Sequence, residues 1–190
     1  VPPLLALTGT ASASVLHDMQ RDLEIFNEDA VIQPKSFDRP EIFFRVYNVA
    51  SDKKKAIFED IIKNKLPAEF ESEYPLFYQT NKGERTNCGL VFCNNVDGSY
   101  GLLASEKQLL YGYLGVGDIL ERILSGKFGL YAGKVPKRLK VEDNNKNDES
   151  NNLKRLNASK LKNNEYSVLA CTNAFGMGID KPNIRWIIHY

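Results

Sequence analysis

The densest chemistry in this chain lies near its end, in VLACTNAFGMGIDKPNIRWIIHY over 168–190. A short apolar strand delivers Thr172, a loop follows with Gly176, Gly178 and Asp180, and a second apolar strand begins after it. Ligands of α/β sheets bind outside the carboxyl ends of strands. A threonine hydroxyl and exposed amides in such a loop can hold a phosphate, and glycines let backbone approach closely. An aspartate at the end of the loop can accept a hydrogen bond from a ribose hydroxyl. The same residues also suit a tight turn, with the glycines there for steric reasons and Asp180 as a cap. Two other apolar runs end in small polar residues. LALTGTA (5–11) closes on Thr8 and Thr10, and GLVFC (89–93) leads into Asn94.

These residues need elements to position them. LALTGTA predicts a buried parallel strand. Ser12 or Ser14 then caps a helix over 15–26, and 27–29 are turn-like. Pro34 and Pro40 keep the segment around SFDRPEI extended, like a connector. Residues 42–49 are rich in aromatic and β-branched side chains and predict a strand. Over 53–66, Ile57, Phe58, Ile61, Ile62 and Leu66 share one face of an amphipathic helix that Pro67 ends. No clean period runs through 68–86, which predicts an irregular excursion. The glycine-interrupted, aromatic-rich stretch 98–114 predicts a hairpin or a broken helix. Further along come a short helix capped by Asp118 and closed by Gly126, a strand over 128–132, a solvated loop over 142–152, a helix over 153–161, and strands over 168–171 and 184–190. Strands alternating with helices mean a parallel sheet.

Composition narrows the function classes. The chain has 190 residues, 43% hydrophobic and 26% charged, enough for one packed domain or a domain plus a piece of another. Its 25 basic and 24 acidic residues leave a net charge of +1, which is not the strongly basic balance of a stand-alone nucleic-acid binder. The three cysteines, Cys88, Cys93 and Cys171, form no Cys-x-x-Cys pair, so neither a zinc ribbon nor a disulfide framework organises the fold. No apolar run is long enough for a transmembrane helix. Without an initiator Met or a signal-peptide pattern, the chain reads as a piece of a longer protein.

The 168–190 string resembles motif V of RecQ-type superfamily 2 DNA helicases almost residue for residue, above all in Ala-Phe-Gly-Met-Gly-Ile-Asp-Lys-Pro-Asn. Other segments follow in the family's order. LALTGTA resembles motif III, with Gly9 where alanine is usual, and SFDRPEI resembles the Ser-Phe-x-Arg-Pro-Asn connector, with Glu41 in the asparagine place. GLVFCNN resembles motif IV. Gly-Leu-Tyr-Ala-Gly at 129–133 resembles Tyr-His-Ala-Gly, with Tyr131 in place of the histidine. The resemblance leaves out 68–86, 96–115 and 136–152, which read as insertions.

The resemblance implies an α/β fold, a RecA-like three-layer sandwich around a mainly parallel sheet. Residues 1–35 would be the end of a first helicase lobe and its connector. Residues 36–190 would be a second RecA-like lobe, cut before motif VI. It implies ATP-dependent 3′-to-5′ translocation and unwinding by the parent protein, with ATP and Mg as cofactors. The implied partners are single-stranded or partially duplex DNA and the first lobe in cis, with no membrane. The compartment would be nucleoid-associated cytoplasm in a bacterium or the nucleus in a eukaryote. By resemblance, Thr172, Asn94, Gly133 and Arg39 face nucleic acid, Gly178 and Asp180 face the nucleotide, and Thr8 and Thr10 couple the two. The chain has no P-loop: Gly129-Leu-Tyr-Ala-Gly133-Lys134 is one residue short and is followed by Val135. It also has no Asp-Glu-x-His box, so the chain alone is not expected to hydrolyse ATP. Two further readings stay open: an RNA helicase lobe, and a catalytically inactive lobe kept as an interaction module. His17, His189, Cys171 and Trp186 read as structural, and the 53–55 lysine run as a solvated face.

Overall fold

Strands form here where apolar runs find neighbours to pair with. In the computed structural model, which describes residues 3–7, 12–32, 39–139, 146–175 and 180–190, the chain divides into two compact units, Val1–Tyr47 and Asn48–Tyr190.

In the first unit, α1 (Ala13–Asp22) is capped by Ser12, one of the two expected caps, whose Oγ accepts the Val15 amide at 3.4 Å, but it starts two residues before the expected 15 and ends four before the expected 26. The described part of the expected 5–11 strand is not a strand, and Leu7 is 82% exposed. An apolar run becomes a strand only against a partner, and none is available among the described residues of this unit. The aromatic run 42–49 fails as a strand for the same reason, and Phe43, Phe44 and Val46 are all exposed. The connector is not extended at its described end either. Pro40 sits inside a turn closed by the Ile42 amide on Arg39 O at 2.8 Å, because proline's fixed φ also suits the second position of a turn.

The second unit holds an all-parallel sheet of β1 (Cys88–Phe92), β4 (Phe128–Tyr131), β5 (Val168–Cys171) and β6 (Ile184–His189), in the order β4-β5-β1-β6. This is the predicted α/β architecture, and it suits a RecA-like lobe. β5 is buried at every position, which explains its unbroken apolar sequence. Helices cover both faces. On one face, Val91, Cys93, Val168, Ala170 and Trp186 pack with Phe58, Ile62, Ile119, Leu120 and Ile123. On the other, Leu90, Leu169 and Cys171 pack with Leu161 and Phe175. Helix α6 (Lys146–Lys162) supplies Leu161, and its Asn157 donates to Leu130 O at 2.7 Å. The helix begins well before the expected 153, inside the predicted loop, because a polar run can form solvated helical turns as readily as coil.

Pro67 does not end the amphipathic helix. α2 (Lys54–Asp60) runs through a π-helical turn (Ile61–Lys65) into α3 (Leu66–Glu69), with Pro67 in the first turn of that last piece. A helix's first turn needs no amide from proline. The irregular stretch after it belongs to the core. Phe77 and Tyr78 are both buried, and the Tyr78 hydroxyl donates to Ile62 O at 2.7 Å. The 98–114 stretch is neither hairpin nor broken helix. β2 (Asn95–Asp97) and β3 (Gly101–Leu103) pair in parallel as one turn of a coil, and α4 (Glu106–Leu110) follows behind a Ser105–Gln108 capping box. A side chain at Gly101 would meet Asp97 O at 2.8 Å, so only glycine lets this coil close. α5 (Val116–Leu124) starts at Gly115, with Asp118 accepting the Gly115 amide at 2.8 Å.

Candidate functional site

All four strands run the same way, so the residues that follow them share one rim. Beyond β1 lie Cys93 and Asn94, beyond β4 Ala132 and Gly133, beyond β5 Thr172, and beyond β6 Tyr190. Backbone hydrogen bonds knit the rim together: the Thr172 amide to Tyr131 O at 3.0 Å, Cys93 to Cys171 O at 2.8 Å, and Tyr190 to Phe92 O at 2.9 Å. The fold thus brings together Asn94, Gly133 and Thr172, three residues far apart in sequence. Asn94 and Gly133 are exposed and Thr172 is half-buried. The short turn Asn173–Phe175 follows, and the Phe175 amide donates back to Thr172 O at 3.0 Å. Phe175 is buried against Tyr131, their rings 4.8 Å apart and edge-on, so Tyr131 serves as packing at this position. At Gly133 an added Cβ would meet only Ala174, at 3.8 Å. Lys154, which the sequence did not single out, donates from Nζ to Gly133 O at 3.0 Å and brings a positive charge to the rim. A rim of hydroxyl, amide and ammonium donors is suited to phosphate oxygens.

The other expected residues lie elsewhere. Asp180 is exposed and stands at the approach to β6. Beside it, Lys181 Nζ donates to Asn164 Oδ1 at 2.7 Å, and Asn183 Nδ2 donates to Asn164 Oδ1 at 2.8 Å and Thr86 O at 2.9 Å. Asn164 and Thr86 precede β5 and β1, so this cluster marks the amino end of the sheet, the opposite end from Thr172. Arg39 belongs to the first unit and pairs with Glu41. Glu41's own backbone amide, then Arg39, hold that carboxyl below its usual range. Thr8, Thr10 and Gly178 lie outside the described residues.

The three thiols are packing groups, Cys93 and Cys171 beside the rim and Cys88 at the amino end of β1. Burial pushes Cys93 and Cys171 up to about 12 and raises Cys88 as well. Thiol reactivity requires thiolate, so the native chain is expected to leave all three cysteines unmodified by a disulfide reagent at neutral pH. Three equivalents should react in denaturant. Fast modification of Cys93 or Cys171 in the native protein would show that the rim opens. His189 stacks on Phe92, with ring centroids 5.2 Å apart, and Trp186 lies in the core, in keeping with their structural reading.

Among the described residues, no grouping of three or more His, Cys, Asp or Glu could hold a metal ion, and no helix is long and apolar enough to cross a membrane.

No family model matches the chain. Curated proteins do. It is 28% identical over 189 residues to the probable ATP-dependent DNA helicase RecS of Bacillus subtilis, covering 100% of this chain and 28% of that protein. It is 29% identical over 187 residues to ATP-dependent DNA helicase Q1 of Pongo abelii, covering 98% of this chain and 22% of that protein. A putative ATP-dependent RNA helicase of Acanthamoeba polyphaga mimivirus is 26% identical over 188 residues, covering 99% of this chain and 25% of that protein. The chain therefore spans about a quarter of the length of these relatives. Its four-stranded parallel sheet with helices on both faces suits a RecA-like lobe, and over its whole length the chain is similar to RecQ-type ATP-dependent DNA helicases.

Proposed function

We propose that this chain is the part of a RecQ-like DNA helicase that carries one of its two single-strand-binding surfaces. Residues 1–35 are the end of the first motor lobe and its connector, and residues 36–190 are the second lobe, with insertions at 68–86, 96–115 and 136–152. The parent protein uses ATP with Mg to translocate 3′-to-5′ on single-stranded DNA, in the nucleoid or the nucleus. The observation that carries this reading is the gathering of Asn94, Gly133 and Thr172, the positions that match the family's DNA-facing residues, on one rim with Lys154.

The described residues do not by themselves compose a nucleotide pocket. Asp180 is exposed at the far end of the sheet, and no acidic grouping suited to a divalent cation accompanies it. The nucleotide would be held mainly by the first lobe in cis, with Asp180 and Gly178 reaching it from this side. The part assigned to the rim is binding and orientation. The Thr172 hydroxyl and the Asn94 amide donate to backbone phosphates, and Lys154 adds charge without reading base sequence.

The test is fluorescence anisotropy with a labelled oligo-dT. Replacing Thr172 or Asn94 by alanine should each weaken binding about tenfold, the scale of one hydrogen bond to a charged group. Unchanged affinity in both variants would overturn the reading. The similarity to an RNA helicase gives a second reading one specific observation, so an RNA of the same length belongs in the assay. Clear preference for the RNA would favour that reading. In the complete protein, unchanged ATPase activity after Thr172→Ala and Asp180→Ala would mean a lobe kept for interaction alone.

A further inference from the structure

Lys54 sits in an unusual place for a member of a lysine run. It opens α2 half-buried, with its ammonium 4.4 Å from the centroid of the Tyr190 ring and 5.5 Å from that of Tyr100. Among the described residues no carboxylate pairs with it. Two ring faces attract a cation, at roughly 1 kcal/mol each, but do not neutralise it. The charge is therefore held in place and left available to an anion.

Each partner is anchored from elsewhere. Tyr190 is tied to the end of β1 through its amide on Phe92 O, and its ring packs edge-on against buried Phe58 at 5.0 Å. The Tyr100 hydroxyl donates to Ser51 O at 3.4 Å, yet the residue stays 45% exposed. Lys54 also lies close enough to the buried Cys93 thiol to oppose the rise that burial imposes on it. Cys93 directly precedes Asn94, so the lysine stands over the carboxyl ends of β1 and β6 and extends the rim away from β4.

We infer that Lys54 and Tyr100 form a second contact for single-stranded DNA beside Asn94 and Thr172, with the Lys54 ammonium taking a backbone phosphate and the exposed Tyr100 ring taking the neighbouring base. A fixed cation next to an exposed aromatic ring is the pairing that sequence-independent single-strand binding uses. The inference rests on the nucleic-acid reading of the rim.

The experiment measures oligo-dT affinity of the 190-residue chain from about 50 to about 200 mM salt. Lys54→Met should weaken binding and flatten the log–log salt slope by about 0.7, the loss of one single-strand phosphate contact. Lys54→Arg should keep both. Tyr100→Ala should weaken binding about fivefold or more, whereas Tyr100→Phe should not, because stacking needs the ring and not the hydroxyl. Lys82→Met removes the same charge at the amino end of the sheet and should leave the slope unchanged. Since Tyr100 is exposed, its variants carry the test even if Lys54→Met fails to fold. Wild-type affinity in Lys54→Met and Tyr100→Ala, with Thr172→Ala weakened, would overturn this inference alone. Equal losses in Lys54→Met and Lys82→Met would also overturn it, as a mere effect of net charge. No binding by the unaltered chain would overturn both readings.

Discussion

Gly89→Ala is expected to destabilise the second unit by about 3 kcal/mol or more, at the upper end of overpacking costs. Gly89 on β1 stands directly opposite Trp186 on β6, and the indole lies across the glycine. A Cβ there would fall 2.0 Å from Trp186 Cε2, 2.1 Å from Cδ2 and 2.4 Å from Cζ2. Only wholesale movement of the ring relieves such an overlap. The ring has little room, being buried in the main core edge-on to Tyr78 at 6.3 Å. Trp186 is the chain's one tryptophan, so its fluorescence reports directly on the disturbed site in a urea titration. A midpoint equal to that of the unaltered chain would show that the close approach is absent in solution. Trp186→Leu should shrink the penalty of Gly89→Ala in a double-mutant cycle, because the two residues share one volume.

Asp118→Ala should cost about 3 kcal/mol, near the lower end of the range for breaking a largely buried ion pair. One carboxylate oxygen accepts the amides of Ala104 and Gly115 at 2.9 and 2.8 Å, and the other pairs with Arg138 Nη2. Arg138 in turn donates from Nη1 to Ala104 O at 2.9 Å. Its side chain is 21% exposed and that of Asp118 only 8%, so water cannot replace the lost partner fully. The substitution strands two backbone amides and a guanidinium at once. For a domain of this size the expected fall in Tm is about 6–12 °C. Arg138→Met should cost less, because Asp118 then keeps both amides. The reverse ranking of the two variants would mean that the ion pair, and not the capping of α5 and the β3 exit, holds this corner.

Much of the second unit was legible in the sequence. The runs at 89–93, 128–132, 168–171 and 184–190 became β1, β4, β5 and β6 nearly as read; the central strands β1 and β5 are apolar throughout because both their faces are buried, while the edge strand β6 alternates and carries the exposed Arg185. Asp118 was read as the cap standing before an apolar helix, whereas α5 already starts at Val116 and Asp118 caps it from the third position; Ala104 and Arg138 as its partners were not readable. The strand expected at 42–49 and the described part of the one expected at 5–11 do not form, because pairing depends on a neighbour that the local sequence does not specify. The irregular look of 68–86 hid two core aromatics, Phe77 and Tyr78, because burial there comes from single turns with no period to detect.

The division at the site has the same origin. By itself the sequence determined that apolar strands deliver a hydroxyl, an amide and a glycine: Thr172 after one run, Asn94 after another, Gly133 after a third. Only the tertiary structure decided which of them meet. The parallel sheet order gathers the ends of β1, β4 and β5 on one rim, adds Lys154 from α6, and sends Asp180 to the opposite end. It also turned Lys54, one of three consecutive lysines, into a cation held between two rings. A residue's type and spacing are properties of the chain, whereas its neighbours across a sheet are set by pairing among segments up to about a hundred residues apart, whose free energy no local window contains.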